Sequence, residues 1–316
     1  MIDKLATVKP KIQEIRADNR SGAAEITKRA SDVFAEFSKI KISKEKEFLT
    51  LLHQVSRELI DSQPSMAPII NLVNRVLVKV EELTDLKAMR EGVQAEAQSF
   101  VKDMNTGLGN ITSSSLNVIK NLKSTPSILT HSYSSTVFNV LADARKAGLE
   151  FTVTCTESRP ASEGKRLAKT LAGEDIPVTY IIDMLAFSLI KEGKVDLILI
   201  GGDSISTDGL INKIGTLGLA VFAKQSNVPI YALLGNEKFL SPQLVQYLRI
   251  EPREPEEVLI TYEKGINVVN RYFDITPPSF LTGIITNSGI LNENEVKEKS
   301  ESEKVSNQLL SWLTSS

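Results

Sequence analysis

Residues 195–224 read VDLILIGGDSISTDGLINKIGTLGLAVFAK. Val195 to Ile200 is apolar apart from Asp196, too short for a buried helix and rich in β-branched residues, so it reads as a strand covered on both faces. Gly201 and Gly202 end it. Asp203 then falls just past the carboxyl end of a central strand, where open α/β sheets gather ligand-binding and catalytic side chains. From Leu210 the apolar positions Leu210, Ile214, Leu217 and Val221 recur every three or four residues, a spacing that predicts a helix with Asn212 and Lys213 in its first turn. Such a turn presents backbone N–H groups and a positive dipole end, and Lys213 adds charge, so the expectation is a phosphate seat. Taken singly, Asp203 could be a loop cap and Lys213 a solvated surface charge; together they point to a site.

At 316 residues the chain exceeds one ordinary core, which predicts two domains. Its 37 basic and 39 acidic residues nearly cancel, which argues against broad electrostatic binding of nucleic acid. The single cysteine, Cys155, lies in an apolar strand-like run, so neither a disulfide framework nor a thiolate metal site is expected, and a reducing cytosol fits. No cleavable leader and no apolar run of membrane-crossing length stand out, so the expectation is a soluble, cytoplasmic protein without membrane attachment, metal or cofactor.

Up to about Leu122 the apolar residues fall at helical spacing, as in Ile26, Ala30, Val33 and Phe37, then Phe48, Leu52, Val55 and Leu59. This predicts a helical domain over 1–122. After Pro126, short apolar runs alternate with helices of about ten residues, at Ile128–Thr130, Glu150–Thr156, Val178–Ile182, the central strand and Pro229–Leu234. That alternation predicts a parallel, doubly wound α/β sheet over 123–316, closed by an amphipathic helical tail carrying Val305, Leu309, Trp312 and Leu313. Neither the GxGxxG fingerprint nor the Walker A pattern is present. Polar groups follow each strand: Thr130, His131, Ser132 and Tyr133; then Glu157, Ser158 and Arg159; then Asp183; then Asp203. Any one could be a turn residue, but their recurrence predicts one shared crevice.

Gly201, Asp203, Gly209, Asn212, Lys213, Ile214, Gly215 and Thr216 carry a resemblance, with Thr130, His131 and Ser134 upstream and Glu157, Ser158, Arg159, Pro160, Gly164 and Asp183 between. The chain resembles the family that unites the alpha, beta and delta subunits of translation initiation factor 2B with the isomerases of methylthioribose 1-phosphate and ribose 1,5-bisphosphate. Arg20, Ser21, Gly22 and Ala23 are similar to a segment of that family's helical domain, so the resemblance covers most of the chain. It implies a helical amino-terminal domain followed by a Rossmann-like sheet, and a ligand site built from Arg20, Gly22, Ala23, His131, Ser132, Glu157, Arg159, Asp203, Asn212 and Lys213.

The isomerases, as the resemblance implies, open a sugar ring and move a proton between carbons one and two with a cysteine after the Thr-His pair and an aspartate in the Gly-x-Asp motif. Asp203 fills the second position; Ser132 stands at the first. A hydroxyl is a far weaker acid than a thiol and needs an adjacent base to act at neutral pH. His131, as a sequence neighbour beside a strand, tends to point to the other face. The THSYS wording at 130–134 is similar to the alpha subunit. The resulting expectation is a regulatory subunit-like protein of the initiation factor 2B type, which binds initiation factor 2 or other subunits, aids guanine nucleotide exchange, self-associates as a homodimer or larger, and takes a sugar phosphate or nucleotide effector. The alternative is a sugar-phosphate aldose–ketose isomerase in which Asp203 is catalytic.

Overall fold

The structure is a computed structural model that describes residues 4–18, 21–260 and 265–314. It separates into two compact units, one of Met1–Thr106, Glu237–Arg249 and Lys299–Ser316, the other of Gly107–Asn236 and Ile250–Glu298. The sequence places the tail with the α/β half. The structure groups it with the helical unit, because its apolar face is buried there.

In the first unit the helices are α1 (Lys9–Ala17), α2 (Ala23–Phe37), α3 (Glu45–Ser62), α4 (Ala67–Glu81) and the first part of α5 (Leu86–Lys120). The stripe predicted from spacing is the buried one: Ile26, Ala30, Val33, Phe34 and Phe37 on α2 meet Phe48, Leu52, Val55 and Leu59 on α3 in one core. Leu240 and Leu244 join it from the 237–249 segment, and Leu309 and Trp312 from the last helix. That helix starts on a borrowed cap: the Glu81 carboxylate accepts the Gln308 N–H at 3.0 Å and the Asn307 N–H at 3.1 Å, and also the Ser306 hydroxyl at 2.6 Å.

The second unit holds a seven-stranded sheet. Its strands are β1 (Ser127–Thr130), β2 (Thr152–Thr156), β3 (Val178–Ile181), β4 (Leu197–Ile200), β7 (Ile230–Leu233), β9 (Gly283–Thr286) and β10 (Gly289–Leu291), ordered β10-β9-β7-β4-β1-β2-β3. All pairs are parallel except β9 with β10. The crossover helices are α6 (Ser135–Lys146), α7 (Glu163–Ala172), α8 (Leu185–Lys191) and α9 (Thr216–Gln225). The chain winds outward from β1 through β2 to β3, then returns to lay β4 on the other flank of β1. The winding direction therefore reverses between β1 and β4, the position at which such sheets open a crevice at their carboxyl ends. Two close approaches keep this end tight. A Cβ on Gly201 would meet Ser134 Cβ at 2.6 Å, and one on Gly164 would meet the Thr156 carbonyl oxygen at 1.7 Å.

The helix predicted from Leu210 is corrected. Gly209–Lys213 is a strand, β6, paired antiparallel with β5 (Ser204–Ser206) on one side and β8 (Phe273–Thr276) on the other. Every residue of β6 is buried, so no polar alternation reveals it, and the three-to-four spacing arises from a strand running straight into α9. Two further helices, α10 (Glu293–Glu301) and α11 (Asn307–Thr314), end the described chain.

Candidate functional site

Asn212 and Lys213 thus sit on a strand, and the expected seat on their helix turn does not form. The real helix start is at Thr216, and its N–H groups already have an anion: Asp274 on β8 accepts from Gly215 N at 2.8 Å and from Leu217 N at 3.2 Å. Burial raises the Asp274 carboxyl above its ordinary range, against those two bonds. Asn212 holds the same junction, donating through Nδ2 to Thr216 Oγ1 at 2.9 Å.

Around the reversal between β1 and β4 the polar residues bond one another. His131 is buried, with Nε2 2.9 Å from the Ile214 carbonyl oxygen, so Nε2 carries the proton and Nδ1 accepts from Thr156 Oγ1 at 2.6 Å. Burial holds its pKa below the ordinary value, which keeps the ring neutral. Thr156 Oγ1 then accepts a hydrogen bond from Ser158 Oγ at 3.1 Å, and Ser158 Oγ accepts the Ser132 N–H at 2.7 Å. Asp183, beyond β3, accepts Ser158 N–H at 2.6 Å and Arg159 N–H at 2.9 Å. Ser132, Ser158 and Ser162 all have left-handed backbone, with φ of 67°, 61° and 56°. That conformation is uncommon for non-glycine residues and gathers where loops are held for function.

Ser132 has a carboxylate neighbour that the sequence reading did not find. Its Oγ donates to Glu163 Oε2 at 3.3 Å, and the other carboxylate oxygen lies 2.8 Å from Lys213 Nζ. Glu163 opens α7, the helix after β2, thirty-one residues from Ser132; only the fold joins them. Its signal was the rule applied to its neighbours, a polar residue in the loop past a strand's carboxyl end, extended one step into the helix. His131 does not serve Ser132, since both its ring nitrogens are engaged elsewhere.

The remaining expected residues are placed as follows. Asp203 lies past β4 across the reversal from Ser132, with its N–H donating to the Ile211 carbonyl at 2.9 Å. Glu157 follows β2, and its N–H donates to the Ile181 carbonyl at 2.7 Å. Arg159 is exposed and reaches the Val258 carbonyl at 3.3 Å. Gly22 and Ala23 begin α2 in the helical unit, where the Gly22 carbonyl accepts the N–H groups of Glu25 and Ile26. Arg20 lies outside the described residues. Cys155 is buried in β2 with its thiol pushed up to about 12 by desolvation, so it is no substitute nucleophile. Among the described residues no cluster of His, Cys, Asp and Glu could hold a metal ion, and no helix is long and apolar enough to cross a membrane.

The sequence profile of the initiation factor 2 subunit family matches residues 19–293. The chain belongs to that family. It is 32% identical over 295 residues to a ribose 1,5-bisphosphate isomerase of Methanocaldococcus jannaschii, covering 92% of this chain and 93% of that one. It is 33% identical to a Pyrococcus furiosus protein described as a putative translation initiation factor eIF-2B subunit 2-like, over 89% of this chain and 94% of the other. A crystal structure of the Pyrococcus horikoshii OT3 translation initiation factor eIF-2B superposes with a TM-score of 0.75 at 25% identity, covering 91% and 97% of the two chains. Family members of this kind thus include both isomerases and eIF-2B-like proteins, on the helical-then-parallel-sheet fold described above.

Proposed function

We propose that the protein is a sugar-phosphate aldose–ketose isomerase acting on a ribose 1,5-bisphosphate or methylthioribose 1-phosphate type of substrate. The observation that carries this reading is the Glu163 carboxylate 3.3 Å from Ser132 Oγ, in the loops past β1 and β2, with Asp203 in the loop past the neighbouring strand β4. Isomerising a sugar 1-phosphate delivers a proton to the ring oxygen as its bond to C1 breaks, moves a hydrogen from C2 to C1, and removes the proton of the C2 hydroxyl as that carbon becomes the carbonyl. Protons balance, and no oxidant or co-substrate is used. Two acid–base groups on either side of the sugar suffice. In this proposal Asp203 is one, and the Ser132 hydroxyl backed by Glu163 is the other. In the same proposal Lys213 and Asn212 hold the phosphate and sugar hydroxyls, with His131 supporting the Ser158 and Ser132 turn through Thr156. Glu157 and Arg159, in the loop after β2, and Arg20, Gly22 and Ala23 are assigned to ligand binding by resemblance.

The relative named as an isomerase at 32% identity supports this reading over a purely regulatory one. The second reading keeps a specific observation in its favour, the hydroxyl of Ser132 in place of a thiol. In it the chain is a cytoplasmic regulatory subunit that binds initiation factor 2 and aids guanine nucleotide exchange while holding a sugar phosphate or nucleotide effector. In both readings the protein self-associates through the α/β unit, where Ile182 and Met184 are 61% and 71% exposed and Val269 is 67% exposed.

Turnover of the two sugar phosphates by the purified chain is the test. The proposal requires measurable isomerisation, with Asp203→Asn and Ser132→Ala each lowering kcat by roughly a hundredfold to ten-thousandfold. Absence of turnover, together with capture of a GTP-binding initiation factor 2 complex at micromolar concentration, would establish the regulatory reading instead.

A further inference from the structure

Lys213 is 3% exposed, a long amine-bearing side chain almost wholly inside the protein. Its Nζ lies 4.3 Å from the centroid of the Tyr272 ring and 5.6 Å from that of Phe273, so aromatic faces take up part of its surroundings. The described carboxylate against it is Glu163, with an oxygen 2.8 Å from the ammonium. The two partners differ in exposure. The Glu163 side chain keeps 32% of its surface against 3% for that of Lys213, so the cation is buried and the carboxylate is the partner that reaches solvent. A phosphate approaching Lys213 would meet a negative group already seated there, and two anions that share one ammonium repel.

We propose that Glu163 is an internal counter-anion that competes with the ligand's phosphate for Lys213, so that binding exchanges one partner for the other. This deepens the sugar-phosphate reading of the same site and rests on it. Its consequence is specificity: a ligand that brings only a weakly charged group cannot displace the carboxylate, whereas a phosphate dianion can. The exchange also turns the freed carboxylate towards Ser132 Oγ, which Glu163 already meets through its other oxygen.

The experiment is calorimetric titration of the full chain with inorganic phosphate, which involves no turnover. Glu163→Gln keeps the size and the acceptor facing Ser132 but removes the charge. It is expected to bind phosphate at least about tenfold more tightly than the unmodified chain, about 1.4 kcal/mol by the usual conversion. Glu163→Asp, which withdraws the carboxylate by one methylene, is expected to fall between the two and decides the matter if the glutamine variant does not fold. The Glu163→Gln, Lys213→Met double variant should lose the gain, which a merely structural role for Glu163 would not require. Equal or weaker phosphate binding by the Glu163 variants, or a gain that survives loss of Lys213, overturns the proposal. Isomerase turnover by the unmodified chain with no affinity gain in the variants removes this inference alone. An affinity gain with no turnover in any variant removes the isomerase reading alone.

Discussion

Buried polar side chains in the two units end on different kinds of partner. In the helical unit several long ones, buried or half-buried, end on backbone, although Arg75 and Ser306 end on carboxylates. Arg90 donates to the carbonyls of Ser38, Ile40 and Ile42, Gln63 to those of Ile15 and Asp18, and Asn71 to those of Glu237 and Phe239. At the strand ends of the α/β unit they end largely on one another, from His131 through Thr156 and Ser158 to the Ser132 turn, and from Ser132 through Glu163 to Lys213. A side chain spent on a carbonyl stitches segments that have no regular ladder, and its loss leaves a buried acceptor unsatisfied. A side chain bonded to another side chain can trade that partner for a ligand without opening the fold. The contrast separates residues that hold the molecule from residues available for chemistry.

The largest way to break this contrast is at Arg90. Arg90→Ala orphans three carbonyls and removes the guanidinium from over the Phe48 ring. It should cost the helical unit about 3 kcal/mol in urea unfolding while phosphate binding stays unchanged. Lys213→Met reverses the pattern: affinity for a phosphorylated sugar should fall by about 1.5–3 kcal/mol, with little loss of unfolding free energy, because the methionine still packs on Tyr272 and Phe273. A strong stability loss here would place Lys213 with the stitching residues. Ser134→Ala removes the hydroxyl that caps α6 by accepting the Val137 N–H at 3.3 Å. It should lower the melting free energy by roughly 1 kcal/mol, the ordinary range for a cap.

The smallest effect is in pH. The chain has two histidines, one in each unit, and burial lowers the pKa of both below the value of 6.5 that they have when unfolded. Below pH 6.5 the unfolded chain therefore binds more protons than the folded one, so stability is full above that pH and falls as acid is added towards the folded-state values. His131→Gln should remove the α/β unit's share of this slope and leave that of His53, read by thermal melts between pH 5 and 7.5. An unchanged slope would mean that the His131 ring is not held neutral by its burial.

Much of the architecture was legible in the chain. Apolar runs such as Leu197–Ile200 are strands because their length and β-branching fit nothing else, and helix spacing named the buried faces of α2 and α3 correctly. Two readings failed for related reasons. A fully buried strand such as β6 carries no alternation, so its apolar residues merged with those of α9 into a false helical period. Glu163 went unrecognised because its partners Ser132 and Lys213 are 31 and 50 positions away, and a glutamate just beyond the polar loop after β2, at a helix start, ordinarily reads as a favourable first-turn charge. Pairings across strand ends are properties of topology, and they become visible only when the order of the strands is known.

The path of the chain through the helical unit bears on how the protein is made. Leu240 and Leu244, and then Leu309 and Trp312, complete a core begun by residues near the amino terminus, and Glu81 caps a helix more than 220 positions further on. During synthesis the α/β unit is therefore finished before the helical unit has all its parts. Until α11 arrives, part of that early core stays open to water, and the contacts that seal it are among the most distant in the sequence, which makes their formation slow. Nascent chains stalled before residue 300 should therefore expose apolar surface on the half that was synthesised first.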